Sequence, residues 1–271
     1  MRVDFIKMHG LGNDFVVIDS RATPLAMKPE LAAAIADRHT GVGCDQVIVL
    51  VTSTAADLGM RIFNSDGSEV ESCGNAARAI GVMLGRPARI ETLGGVIASE
   101  PSASGVTIDM GRPSLEWRDI PLAYAMDTLA LPVGWEDLES PVAVNVGNPH
   151  VVFFVPDCGA VDLARLGPLI ERDPLFPERV NVNVATLAGG DHIRLRVWER
   201  GAGLTRACGT GACATAVAAM RRGLTGREVQ VNLPGGVLEI AWPMAGPVRM
   251  SGPAAESYRG SFDLADFAEA A

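Results

Sequence analysis

Two cysteines in this 271-residue chain stand in the same local setting: "SCGNAARAIGV" around Cys73 and "ACGTGACATAV" around Cys208. Each thiol comes just before a glycine and an apolar run of small residues that reads as a buried helix. A side chain there meets backbone N–H groups with no intrahelical partner, and the helix macrodipole favours negative charge. Two properties are expected. The thiol pKa should fall, making thiolate accessible near neutral pH. A substrate carboxylate could rest on the backbone N–H groups of Gly74 and Asn75, and of Gly209 and Thr210.

Cys73 and Cys208 lie 135 positions apart, and the same offset holds elsewhere. Gly12-Asn13 in "LGNDFVV" falls on Gly147-Asn148 in "VGNPHVV", Gln46 on Asn181, and Arg61 on Arg196. The register runs without a gap from residue 12 to residue 82, and then Gly94-Gly95 pairs with Gly235-Gly236 at an offset of 141. Motifs in one order at one offset point to an internal duplication. If the halves face each other, two thiols address one ligand from opposite sides. One can take a proton from a tetrahedral carbon while the other returns a proton to the opposite face. That chemistry is racemisation or epimerisation, with general acid and base exchanging roles between directions.

The polar residues near the repeats suit an amino-acid substrate. Asn13, Gln46, Asn64, Asn148 and Asn181 cluster at strand ends or turns. Glu199-Arg200 stands where the first half has Asn64-Ser65, and arginine binds a carboxylate in bidentate fashion. His150, beside Gly-Asn-Pro, is a possible supporting residue. His9, His39 and His192 read as structural, and Cys44, Cys158 and Cys213 as core residues. Cys208 and Cys213 lack a second ligand pair, so no metal is expected.

The elements that must position these residues are legible as patterns. "VDFIKM" and "DFVVID" alternate as strands about a Gly-Asn turn. Pro29 to His39 and Asp162 to Arg172 have helical apolar periods. The expected fold is α+β, with two pseudo-symmetric halves. Each half is a strongly curved mixed or antiparallel sheet around a buried helix, with the active site in the cleft between them.

Composition narrows the classes. Net charge is −9 and arginine is scattered, so no nucleic-acid footprint stands out. The N-terminus lacks a signal-peptide core, and no apolar run is long enough to span a bilayer, so a cytoplasmic protein is expected. The only lysines are Lys7 and Lys28, so a Schiff base would have to use one of them. No P-loop or dinucleotide fingerprint is present.

"GLGNDFVVID", "FNSDGSEVESCGN", "GNPHVVFFV", "RVNV" and "ERGAGLTRACGTGACATA" together resemble the diaminopimelate epimerase family. The resemblance implies cofactor-independent conversion of L,L-2,6-diaminopimelate to the meso form, a step toward lysine and peptidoglycan. It implies a homodimer with Cys73 and Cys208 as the acid/base pair. Asn13 and Gln46 would lie near the reacting centre, and Gly74, Asn75, Gly209 and Thr210 would hold the reacting carboxylate. Asn64, Asn148, Asn181 and Arg200 would bind the distal carboxylate, Glu199 would lie near the distal ammonium, and His150 beside the thiols. It also implies a first domain of 1–113 plus 254–271 and a second of 114–253, whereas the repeat alone would end the first half near Glu136. Ala76, Ala79, Asn183 and Leu204 depart from the common family pattern. The alternatives are a proline or hydroxyproline type racemase of the same fold, and a non-catalytic amino-acid-binding or thiol-redox protein.

Overall fold

The computed structural model describes residues 1–71, 73–243 and 246–267. The chain divides into two compact units, Met1–Ile108 with Pro253–Ala271, and Asp109–Gly252. Among the described residues no helix is long and apolar enough to cross a membrane.

In the first unit, β1 (Arg2–Gly10) and β2 (Asn13–Asp19) form a hairpin. After α1 (Pro29–Ala36), β3 (Gln46–Val51) lies parallel to β2, and β4 (Leu58–Asn64) lies antiparallel to β3. β5 (Glu69–Val70) folds back on β4 and leads into α2 (Gly74–Leu84). β6 (Ala88–Thr92) returns parallel to β4, followed by antiparallel β7 (Gly95–Ser102) and β8 (Gly105–Asp109).

The second unit begins with a short pair, β9 (Gly134–Trp135) and β10 (Leu138–Glu139). The order then repeats: β11 (Val142–Asn145), β12 (Pro149–Phe154), α3 (Leu163–Glu171), β13 (Asn181–Leu187), β14 (His192–Glu199), β15 (Gly203–Thr205), α4 (Gly209–Arg221), β16 (Glu228–Leu233), β17 (Gly236–Ala241) and β18 (Arg249–Gly252). β19 (Ala255–Asp263) belongs to the first unit and pairs antiparallel with β1.

The duplication extends to individual ladder partners. Phe15 lies opposite Gln46 and Val47 opposite Phe63 in the first unit, as His150 lies opposite Asn181 and Val182 opposite Trp198 in the second. Every one of these residues has its counterpart 135 positions on. Beyond the buried helix, Leu58 pairs with Ile90 and Ile193 with Val231, so the later partner is shifted by 141. Two extra residues in α4, 13 against 11 in α2, and a longer turn after it carry the difference.

Strands β2 and β3 read as unbroken apolar runs because both faces are covered. Val16, Ile18, Val47 and Val49 pack with Leu31, Ala32 and Ile35 of α1. The alternate residues Phe15, Val17 and Ile48 are equally buried on the opposite face. Helix α4 is buried all round, and its alanines, glycines and threonines let strands approach closely. The pattern to His39 overshoots α1, which ends at Ala36. Asp37 ends it: its carboxylate accepts from the backbone N–H groups of His39 and Thr40 and from the Thr40 hydroxyl, starting a turn. The stretch 114–135, which the repeat leaves unexplained, sends Ile120, Leu122 and Leu131 into the second unit's core.

The duplicates also compensate. Trp198 stands where the first unit has Phe63, and Gly167 where it has Ala32. A Cβ on Gly167 would come within 2.5 Å of the Trp198 ring, so the larger aromatic requires the missing methyl. The Trp198 indole N–H donates to the buried Glu171 at 2.7 Å.

Candidate active site

Each unit places its asparagine motif directly after a turn glycine. Gly12 and Gly147 have φ of 89° and 101°, a region that favours glycine, and Asn13 and Asn148 follow them. Each cysteine caps its buried helix. Cys73 is the N-cap of α2 in an extended conformation, and its Sγ accepts from the Ala76 N–H at 3.5 Å. Cys208 is the N-cap of α4, and its Sγ accepts from the Gly211 N–H at 3.3 Å. The two sulfurs thus meet the helix-terminal N–H groups that the sequence pattern predicts.

Around Cys73, the thiol lies 4.0 Å from Asn13 Oδ1, the distance of a weak S–H donation. The same oxygen accepts from Asn75 Nδ2 at 3.2 Å. Asn13 is anchored by its other end, since Nδ2 donates to the Asp45 carboxylate at 3.0 Å. A carboxylate only accepts, so the orientation of the Asn13 amide is fixed. Gln46 Nε2 donates to Asn64 Oδ1 at 2.9 Å, and Asn64 Nδ2 donates to Ser68 Oγ at 3.1 Å. Gln46 Oε1 and Asn75 Oδ1 are buried with no hydrogen-bond partner among the described residues. Lys7 is held in an ion pair with Asp14 at 2.6 Å.

Cys208 is more enclosed. Its Sγ lies 3.5 Å from Thr210 Oγ1, and the Glu199 carboxyl is near enough to act on it electrostatically. Burial pushes this thiol well above its usual pKa and the Glu199 charge adds to the rise; the Thr210 and Gly211 contacts oppose it. The expected drop is therefore reversed at Cys208, because desolvation of a thiolate outweighs the helix terminus here. Glu199 is raised by burial, against bonds from Thr205 and Cys208. The structure thus sets Glu199 against a thiol and the Thr205 hydroxyl.

Asn181 is committed to backbone at both ends, with Nδ2 donating to Pro149 O at 2.8 Å and Oδ1 accepting from the Arg200 N–H at 2.9 Å. It clamps the turn that carries Glu199 and Arg200. Glu171 braces the next residue by accepting from the Gly201 N–H at 3.0 Å. The Arg200 side chain donates to Glu178 O at 2.9 Å. His150 is wholly buried and bonds through both ring nitrogens, to Asn148 Oδ1 at 2.8 Å and to Asn183 Nδ2 at 3.0 Å. Burial pushes its pKa down to about 3.

Asp45, Thr205, Glu171 and Asn183 hydrogen-bond the candidate residues or the turn that carries them, and the motifs do not single them out for support. Asn183 had a signal, since it lies two residues from Asn181 and so on the same face of β13. Asp45 has none, because it reaches Asn13 across 32 residues of chain. Cys44, Cys158 and Cys213 are buried, and burial pushes Cys44 up to about 11. Among the described residues no group of three or more His, Cys, Asp and Glu side chains could hold a metal ion.

The diaminopimelate epimerase family profile matches residues 5–116 and 142–256. A diaminopimelate epimerase from Erythrobacter litoralis is 64% identical over 268 residues, covering 98% of this chain and 100% of that one. One from Rhizorhabdus wittichii is 60% identical, covering 98% of each chain. Among solved structures, a probable proline racemase from Agrobacterium radiobacter superposes with a TM-score of 0.70 at 16% identity, over 97% of this chain and 93% of that one. At that identity the superposition shows the shared fold alone: α+β, duplicated, each half wrapped on a buried helix. This chain belongs to the diaminopimelate epimerase family.

Proposed function

We propose that this protein epimerises one α-carbon of L,L-2,6-diaminopimelate to give the meso form, with Cys73 and Cys208 as the acid/base pair and no added cofactor. The observation that carries the reading is the pair of sulfurs capping equivalent buried helices of a duplicated fold, in a chain of this family. One thiolate takes the α-proton, and the C–H electron pair moves into the adjacent carboxylate as an enolate-like dianion. The other thiol gives its proton to the opposite face and is left as thiolate. The reverse direction exchanges the roles, so no oxidant or reductant enters.

An α-proton beside a carboxylate is barely acidic, so the developing charge must be stabilised. The backbone N–H groups of Gly74, Asn75, Gly209 and Thr210 suit that task. Asn13 and Gln46 serve the reacting centre. Asn64, Asn148, Asn181 and Arg200 serve the distal carboxylate, with Asn181 acting through the turn it clamps. Glu199 serves two ends of the chemistry: its charge acts on the Cys208 thiol, and it offers a carboxylate to the distal ammonium. The raised Cys208 pKa favours this thiol as the proton donor in the substrate-free state. The protein is proposed to work as a homodimer in the cytoplasm, and sedimentation of the purified protein tests the dimer.

The decisive experiment incubates reduced protein with L,L-diaminopimelate in deuterated water without cofactor, beside L-proline and trans-4-hydroxy-L-proline. Deuterium at one α-carbon of a meso product supports the reading. Exchange into proline or hydroxyproline alone would move the protein to the sister activity, and exchange into none would refute the proposal.

A further inference from the structure

We infer that Asn183 is a positioning residue for Asn148. It holds His150 as the Nε2–H tautomer, so that Asn148 is gripped by its oxygen and left to donate from its amide nitrogen. The inference rests on Asn148 serving the distal carboxylate, as proposed above. It adds a residue that otherwise stands only as a departure from the family pattern.

The chain of bonds starts at a group with one role. Asn183 Nδ2 lies 3.0 Å from Val151 O, and a backbone carbonyl only accepts. The amide of Asn183 is therefore oriented with nitrogen toward β12. The same nitrogen lies 3.0 Å from His150 Nδ1, so its second proton faces that ring nitrogen. Nδ1 must then be the acceptor, and the ring proton must sit on Nε2. Nε2 lies 2.8 Å from Asn148 Oδ1 and donates to it. An imidazolium would set N–H against N–H at Asn183, so the ring is held neutral as well as oriented. The far end, Asn148 Nδ2, remains as a donor, the polarity that a carboxylate requires.

The duplication supplies an internal control. His150 and Asn183 correspond to Phe15 and Ile48 in the first unit, each wholly buried. Packing at these positions therefore needs nothing polar, and a buried polar group is costly unless its partners are in place. The first unit orients its own asparagine by another device, Asp45, which takes the nitrogen and leaves the oxygen exposed to Cys73 and Asn75. Equivalent asparagines thus present opposite ends: Asn13 accepts and Asn148 donates. Asn183 Oδ1 is buried without a hydrogen-bond partner among the described residues, so the side chain is kept for what its nitrogen does.

Two readouts test this. In histidine 15N-labelled protein, long-range proton–nitrogen spectra should show His150 as neutral Nε2–H from pH 5.5 to 8. The Nδ1–H form, or an imidazolium titrating in that range, would overturn the inference whatever the enzyme turns over. Asn183→Asp keeps the shape and removes the paired N–H donors. It should change the His150 tautomer signals and raise KM for diaminopimelate about tenfold, with kcat within about threefold. The double variant His150→Phe with Asn183→Ile copies the first unit's packing and should show the same KM rise. An unchanged KM in either variant, or a fall in kcat at unchanged KM, would overturn it. Loss of the proposed function would appear instead as wild-type protein that exchanges no α-proton while its His150 spectrum is as described.

Discussion

The first unit surrounds its cysteine with open, amide-rich groups, and the second surrounds its cysteine with a buried carboxyl. Asn64 in one becomes Glu199 in the other, Ser65 becomes Arg200, Phe15 becomes His150, Ile48 becomes Asn183, and Ala76 becomes Gly211. The backbone ladders beneath these pairs keep the same register. Where two copies share a backbone, differences in side chain separate what the fold needs from what the chemistry needs. A helix N-terminus aimed at a sulfur is common to both copies. The burial of Cys208 beside Glu199 belongs to one, and it is what raises that thiol.

The largest effect expected comes from removing what the copies share. Cys73→Ala and Cys208→Ala should each lower kcat/KM for epimerisation by about three orders of magnitude or more, the upper range for losing a general acid or base. Cys213→Ala, inside the same α4 helix, should retain turnover. Product formation followed by chiral chromatography measures all three. If either single thiol variant kept the wild-type rate, the sulfurs would not be equivalent halves of one mechanism.

A smaller and more discriminating effect lies one turn into each helix. The N–H groups of Ala76 and Gly211 make the same bond to their cysteine. A Cβ at Gly211, however, would come within 2.8 Å of Asn183 Oδ1 and 3.1 Å of Cys208 Sγ. Gly211→Ala should therefore push the thiol or Asn183 aside and lower kcat/KM by about one to two orders of magnitude. Ala76→Gly adds no atoms. It should act mainly on stability, by about 1 kcal/mol for glycine in a helix, measured by urea unfolding. Equal losses of activity in the two variants would remove the steric distinction between the sites.

Much of this was legible in the sequence because duplication turns weak motifs into aligned pairs. The thiols, the Gly-Asn turns and both buried helices follow from residue type and one offset. What escaped did so for physical reasons. Asp45 and Asn13 meet through folding, and no local pattern encodes that contact. The lowered thiol pKa expected at Cys208 weighed the helix terminus without the cost of burial, which depends on everything packed around the sulfur. Asn181 reads as a ligand contact from its position, and folding adds a second task, since its amide ties Pro149 to Arg200. Helix α1 stops short of its apolar period because the Asp37 side chain captures the next N–H groups.

The last effect expected is on stability, and it separates the units by pH. His150 is held near 3 by burial, below the ordinary histidine value, so between the two values its ring stays neutral in the folded protein while the unfolded chain takes up a proton. Its contribution is present above about pH 6.5 and is lost as pH falls, at a slope approaching about 1.4 kcal/mol per pH unit. Phe15, the counterpart in the first unit, has nothing to titrate. Among the acid-sensitive carboxylates there, Asp14 is the one held by two cations. Burial raises it, but its bonds to Arg38 and Lys7 outweigh burial and leave it below the usual carboxylate range. Its contribution is lost only below the ordinary aspartate value of about 3.9. Between pH 6.5 and 4.5 the wild type should therefore lose about 2 kcal/mol that the double variant His150→Phe with Asn183→Ile does not lose, as read from urea midpoints at each pH. Parallel pH slopes in the two proteins would show that His150 is not buried neutral, and the contrast between the units would then have to rest on the thiols alone.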